Sequence, residues 1–209
     1  MKKFIIALFL LGFVFVNANS ERNNRINLTL DLSIGFSNTD INDEKKDMVL
    51  VDLGTTAEYL RILSSGWIFG GSIQVKSISY TWYKTLDLGN KSVKYQYDTE
   101  GSSLQISPII GKAFGENQNL QLLLYPLMLD SVSLTHIKVT NNSNTISQSD
   151  IDINYTVYKT GFRVNFQWGS NLVRNGFYIG TNIIWGASGD SDNSSGVEFP
   201  MGYKISFAF

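Results

Sequence analysis

The chain has 209 residues, a formal net charge of -1 and no cysteine. The missing cysteine excludes a disulfide framework and a lipid-anchored cysteine, and the near-neutral charge gives no reason to propose a nucleic-acid partner. With 43% hydrophobic and 13% aromatic residues and only three prolines, it reads as one domain with a leaning toward β structure.

The first residues set the compartment. Lys2 and Lys3 precede an apolar run from Phe4 to Val16, too short to span a bilayer and of the length found in export signals. Val16 and Ala18 place small side chains ahead of polar Asn19 and Ser20. The expectation is a cleaved signal peptide over 1–18 and one mature domain over 19–209, exported from the cytoplasm.

Strict alternation of apolar and polar residues marks a strand with two different faces. From Arg25 to Phe36, Ile26, Leu28, Leu30, Leu32, Ile34 and Phe36 share one face, against Asn27, Thr29, Asp31, Ser33 and Gly35. This run is longer than the roughly 5–6 residues usual in soluble sheets and suits a tilted membrane strand of about 9–11. A second strand is expected from Met48 to Ile62 and a third from Trp67 to Tyr83, with Gly70 and Gly71 inside it where a side chain must be absent. A fourth runs from Ser102 to Lys112. The fifth, Asn119 to Val139, is hard to phase because Leu122 to Leu124 and Leu127 to Leu129 are apolar on both faces; Pro126 marks a bulge there. The sixth spans Ile151 to Trp168 and the seventh Gly176 to Ala187. The last places Val197, Phe199, Met201, Tyr203, Ile205, Phe207 and Phe209 on one face, against Glu198, Pro200, Gly202, Lys204, Ser206 and Ala208.

The connections alternate as well. Ser37 to Asp47, Lys84 to Gly101, Thr140 to Asp150 and Ser188 to Gly196 are long or polar; Leu63 to Gly66, Ala113 to Gln118 and Gly169 to Asn175 are short. Long loops on one side and tight turns on the other is the arrangement of outer-membrane barrels. The predicted fold is therefore all-β: an eight-stranded antiparallel transmembrane up-and-down β-barrel. Trp67 and Trp168 fall beside short turns, and Trp82 and Trp185 beside long loops, so the four predict an aromatic girdle at each interface. Trp67 and Trp82 differ in parity, so both face outward only if their strand is bulged.

The eight alternating strands and the ending Tyr203-Lys204-Ile205-Ser206-Phe207-Ala208-Phe209 resemble the small OmpA-, OmpX- and OmpW-like outer-membrane proteins, barrel only. The resemblance implies the outer membrane of a diderm bacterium, with its lipid and lipopolysaccharide as surroundings. It also implies recognition of an assembly signal at Tyr203, Ile205, Phe207 and Phe209 by the barrel assembly machinery. An extracellular ligand would meet the loops.

The inward face carries Asp31, Asp52, Glu58 and Glu198 with Lys76, Lys159, Arg163 and Lys204. Balanced charges predict internal pairing, since unpaired buried charge is costly, and an eight-stranded barrel is just wide enough for side chains to fill. The lumen is expected to be plugged.

Catalytic and metal chemistry find little support. His136 is the single histidine; on a regular strand Ser133 faces the other way, and Asp130, which shares its parity, lies about 20 Å along. Asp150 or Asp152 from a neighbouring strand could reach it. No catalytic residue, metal site or cofactor is assigned. The acidic stretch Asp40 to Glu44 with Asp47 could offer oxygens to Ca²⁺, but it lacks the spacing of an EF-hand loop and reads as solvated. The favoured function is structural or surface interaction through the extracellular loops. The alternative is a narrow channel for ions or small hydrophobic solutes, with Leu122 to Leu129 as the place for an apolar pocket. A lipid A-modifying enzyme centred on His136 and a soluble lipocalin-like carrier stand behind these.

Overall fold

The computed structural model describes residues 24–41, 44–87, 92–115, 117–141, 144–191 and 193–209. The expected signal peptide lies outside them, as does part of the acidic stretch beginning at Asp40. Eight strands follow in chain order: β1 Asn24–Ile41, β2 Glu44–Ile62, β3 Trp67–Asp87, β4 Ser92–Phe114, β5 Leu120–Asn141, β6 Asn144–Gly169, β7 Val173–Gly189 and β8 Ser194–Ala208. Each pairs antiparallel with its neighbours, and β1 pairs with β8 to close the ring.

The two faces are inverted relative to a soluble barrel. Ile26, Leu28, Leu30, Leu32, Ile34 and Phe36 lie on the outer surface, as do Phe199, Met201, Tyr203 and Phe207 of β8. Asn27, Thr29, Asp31 and Ser33 alternate with them and are buried inside. Only a nonaqueous exterior makes this distribution favourable, because each outward side chain would otherwise expose its full apolar area to water. From Ile26 to Phe36 is about 34 Å along the strand, or about 24 Å of depth at a 45° tilt, which matches an apolar band about 25 Å tall.

The long connections differ from expectation. Strands run through most of the stretches read as loops: β3 and β4 continue to Asp87 and from Ser92, and β5 and β6 to Asn141 and from Asn144. The cause is solvent. Beyond the lipid both faces of a ribbon meet water, so polar residues occupy both parities and the alternation disappears, while the ladder hydrogen bonds persist. At the other end the turns are tight, with Gly66 and Gly169 at positive φ (82° and 124°) where a side chain would strain the backbone.

Two bulges set the phase of β5. One lies between Tyr125 and Met128, at Pro126 where the sequence places it, and the other between Leu134 and His136. After the second, His136 is exposed and Ile137 packs toward the inside, so the alternation carried from Asp130 no longer holds. Asp130 is buried in the lumen, on the opposite side of the wall from His136.

Candidate functional site: a filled lumen and projecting ribbons

All eight charged residues assigned to the lumen are buried there. Five carboxylates take part, because Asp130 joins Asp31, Asp52, Glu58 and Glu198. Asp130 is the hub: its Oδ2 accepts from Lys76 Nζ at 2.6 Å and from Lys159 Nζ at 2.7 Å. Lys159 also donates to Glu198 at 2.5 Å, and Lys76 lies 3.4 Å from Asp52. Asn182 Nδ2 donates to the second oxygen of Glu198 at 3.0 Å.

Closer to the tight turns, Glu58 organises a second group. Lys204 donates to it at 2.7 Å, Asn27 at 2.9 Å and the Tyr125 hydroxyl at 2.7 Å, with Arg163 at 3.7 Å. The Arg163 guanidinium lies over the rings of Tyr125 and Tyr178, 4.3 and 4.7 Å from their centroids. Asp31 takes hydroxyl donors instead of a cation, from Thr56 and Tyr178. Charges held this way have their partners inside the wall, so little of their field is left to attract passing ions.

An apolar layer that the alternation does not anticipate packs inside the barrel on the ribbon side. Met48, Leu50, Ile78, Tyr80, Trp82, Val132, Leu134, Tyr155, Val157 and Ile184 form one buried cluster, with Tyr97, Ile137 and Ile153 against it. A second cluster lines the β2 to β5 wall nearer the tight turns and includes Leu60, Ile68, Leu123, Tyr125 and Met128. Thus Leu122 to Leu129 supply packed side chains, with Leu124, Leu127 and Leu129 on the outer surface. A depression among Leu30, Leu53, Val75 and Ser102 is on the lipid-facing wall.

Trp82 does not join the aromatic girdle. It belongs to the inner cluster, 6% exposed, stacked on Tyr97 at 5.4 Å between centroids with the rings 4° apart. The pairings of β3 run without a register shift from Trp67 to Trp82, so no bulge rescues its parity. Trp67, Trp168 and Trp185 lie on the outer surface. Tyr158, stacked on Trp185 at 5.4 Å, occupies the rim on the ribbon side. Tyr203, Ile205, Phe207 and Phe209 share the outward parity of the closing strand, with Tyr203, Phe207 and Phe209 exposed and Ile205 half-buried.

His136 faces outward on β5, its Nδ1 2.7 Å from Asp150 Oδ1, with both side chains largely exposed. The bulge at this level puts Ser133 on the same outer face, half-buried, three positions along. No group of three His, Asp or Glu side chains suited to a metal occurs among the described residues.

Beyond the apolar band the wall is uneven. β6 pairs with β5 from Asn144 to Phe166, with shifts of register, but β7 reaches it only from Tyr155, opposite Gly189. Asp190 ends that pairing, its Oδ2 accepting from the Asn154 N–H at 2.7 Å and its own N–H reaching the Asn154 carbonyl at 3.0 Å. The stretch from Asn144 to Ile153 therefore has one paired edge and one open edge among the described residues. Its first seven residues, Asn144 to Asp150, are exposed at every position.

A closed antiparallel ring with an apolar exterior, a charge-paired interior and tight turns at one end defines a small eight-stranded transmembrane β-barrel of the outer-membrane type. No known family profile matches the chain, and no curated protein matches it. Among solved structures it is similar to Neisserial surface protein A (11% identity, 88% of this chain and 97% of that one, TM-score 0.38). It is also similar to Ail, the attachment invasion locus protein of Yersinia pestis (12% identity, 88% and 99%, TM-score 0.44), and to the outer-membrane protease OmpT of Escherichia coli (8% identity, 92% and 99%, TM-score 0.34). At these identities the likeness is one of barrel architecture.

Proposed function

We propose that the barrel is a sealed, non-catalytic platform that holds projecting β-ribbons outside the outer membrane, and that these ribbons carry its function by binding an extracellular protein partner. The observation that carries this reading is the open edge of β6. From Asn144 to Ile153 it presents about 33 Å of backbone N–H and C=O groups with no second strand among the described residues. Exposed edges of this length are normally blunted by lysine, proline or a bulge that turns them away. Here the segment Asn-Thr-Ile-Ser-Gln-Ser-Asp-Ile-Asp-Ile contains neither lysine nor proline; its pairing with β5 shifts register at Ile146 and at Ile151–Asp152, but no strand covers its other edge among the described residues. An added strand would satisfy the edge by main-chain hydrogen bonds, and side chains at alternate positions would give selectivity. Asp150, Asp152 and Asp190 are exposed along it, so the partner strand that fits is extended and basic.

The test uses protein refolded into nanodiscs and two synthetic peptides of equal length, one alternating lysine with threonine, the other glutamate with threonine. The lysine peptide is expected to bind saturably, with new amide protection confined to β6, and the glutamate peptide not to bind. Asp150→Asn and Asp152→Asn should each weaken binding several-fold, each exposed pair contributing up to about 1 kcal/mol. Equal binding of both peptides, or protection elsewhere on the barrel, contradicts the reading.

A further inference from the structure

The tight-turn mouth of the lumen holds two arginines that the paired interior leaves out. Arg25 of β1 and Arg174 of β7 are 4% and 3% exposed. They flank β8, where Ala208 stands opposite Arg25 and Ser206 opposite Arg174. Among the described residues neither guanidinium has a carboxylate within ion-pair distance; Glu58, the acid placed nearest along β2, is committed to Lys204, Arg163, Asn27 and Tyr125. Arg174 is held by neutral acceptors: the Asn117 carbonyl, the Ser170 carbonyl at 3.4 Å and Asn171 Oδ1 at 3.5 Å. Those contacts tie together the turns after β4 and β6. Arg25 lacks even that, since its Nε and Nη1 are buried without a hydrogen-bond partner, and Ser206 Oγ on the intervening strand, opposite Arg174, is likewise unpartnered.

Burying two like charges at one mouth with no carboxylate to pair them is costly, and more so for Arg25, whose donors are unfilled. Everywhere else in this lumen the cost is met by a matching acid. We propose that Arg25, Arg174 and Ser206 form a binding site for a small oxyanion, of the phosphate class, entering from the tight-turn side. A tetrahedral oxyanion offers several acceptor oxygens at once, enough for the two unpartnered Arg25 nitrogens and the Ser206 hydroxyl. Guanidinium is also the side chain best suited to such an ion. Arg174, already fixed by the turns, contributes its charge without having to move. The site is independent of the ribbons, and nothing in it requires the lumen to be open.

The test measures unfolding of the refolded barrel in urea as phosphate replaces chloride at constant ionic strength. A ligand that binds only the folded state must raise the midpoint in proportion to the logarithm of its concentration once above its Kd. The wild-type midpoint is expected to rise this way, accompanied by saturable broadening of the phosphate ³¹P resonance. Arg25→Gln should abolish both responses, and in chloride alone it should be at least as stable as wild type, because it removes a buried charge with no partner. Ser206→Ala, which keeps both guanidiniums, should weaken the response without abolishing it, and it serves as the second variant if Arg25→Gln refolds poorly. A wild-type midpoint indifferent to phosphate beyond chloride, or an Arg25→Gln protein that still responds, overturns the proposal.

Discussion

Replacing Asp130 by alanine is expected to cost the barrel about 3–5 kcal/mol of stability, the range for breaking a buried ion pair from one side. Two lysines converge on a single oxygen of this residue, Lys76 at 2.6 Å and Lys159 at 2.7 Å. Without it Lys76 keeps only the 3.4 Å contact with Asp52, and Lys159 keeps Glu198. The two ammonium groups would then face each other across the space the carboxylate had filled. Asp130→Asn, which still offers an acceptor oxygen, should cost less. Asp150→Ala, whose carboxylate is 90% exposed beside His136, should stay within about 1 kcal/mol. Urea unfolding followed by tryptophan fluorescence and by gel mobility measures all three. Equal losses for Asp130→Ala and Asp150→Ala would mean that the lumen is wet and the charges solvated.

Trp82→Ala is expected to lose a comparable amount, about 3–5 kcal/mol, as for other buried tryptophan truncations. The ring is stacked on Tyr97, has Lys46 Nζ 5.0 Å from its centroid and belongs to the cluster that caps the charge layer. Its removal takes away contacts on both faces and leaves a cavity that strands fixed in a closed ring cannot collapse to fill. Trp168→Ala should cost much less, because that ring lies on the outer surface and lipid tails replace what it loses. The same unfolding measurement compares them. A larger loss at Trp168 would return Trp82 to the girdle and contradict the inward assignment.

The strands that cross lipid over their whole length were the legible ones. In β1 and β8 one face meets hydrocarbon and the other the lumen, so apolar and polar residues alternate without interruption from Ile26 to Phe36 and from Val197 to Phe209. The ribbons were not legible, since water on both faces removes the contrast that defines parity. Asp130 was missed because it sits between two bulges, at Pro126 and at Thr135, where parity cannot be counted from either end. A physical signal was available: a lone acid following Leu127-Met128-Leu129 has nowhere favourable to point except inward. Trp82 failed for the opposite reason. A girdle position was inferred from its closeness to a polar stretch, while its parity already pointed inside. Arg25 opens the alternation of β1 with the parity of Asn27 and Asp31, so its inward face was legible, whereas Arg174 precedes the alternation that begins at Gly176.

The claim on which the rest depends is that this barrel is shut. Single-channel recording of the purified, refolded protein in planar bilayers tests it most directly. Paired charges in the middle and a packed apolar layer above them predict a baseline without stable open levels at moderate voltage. Long-lived conductance steps of reproducible size in the wild-type protein would contradict it.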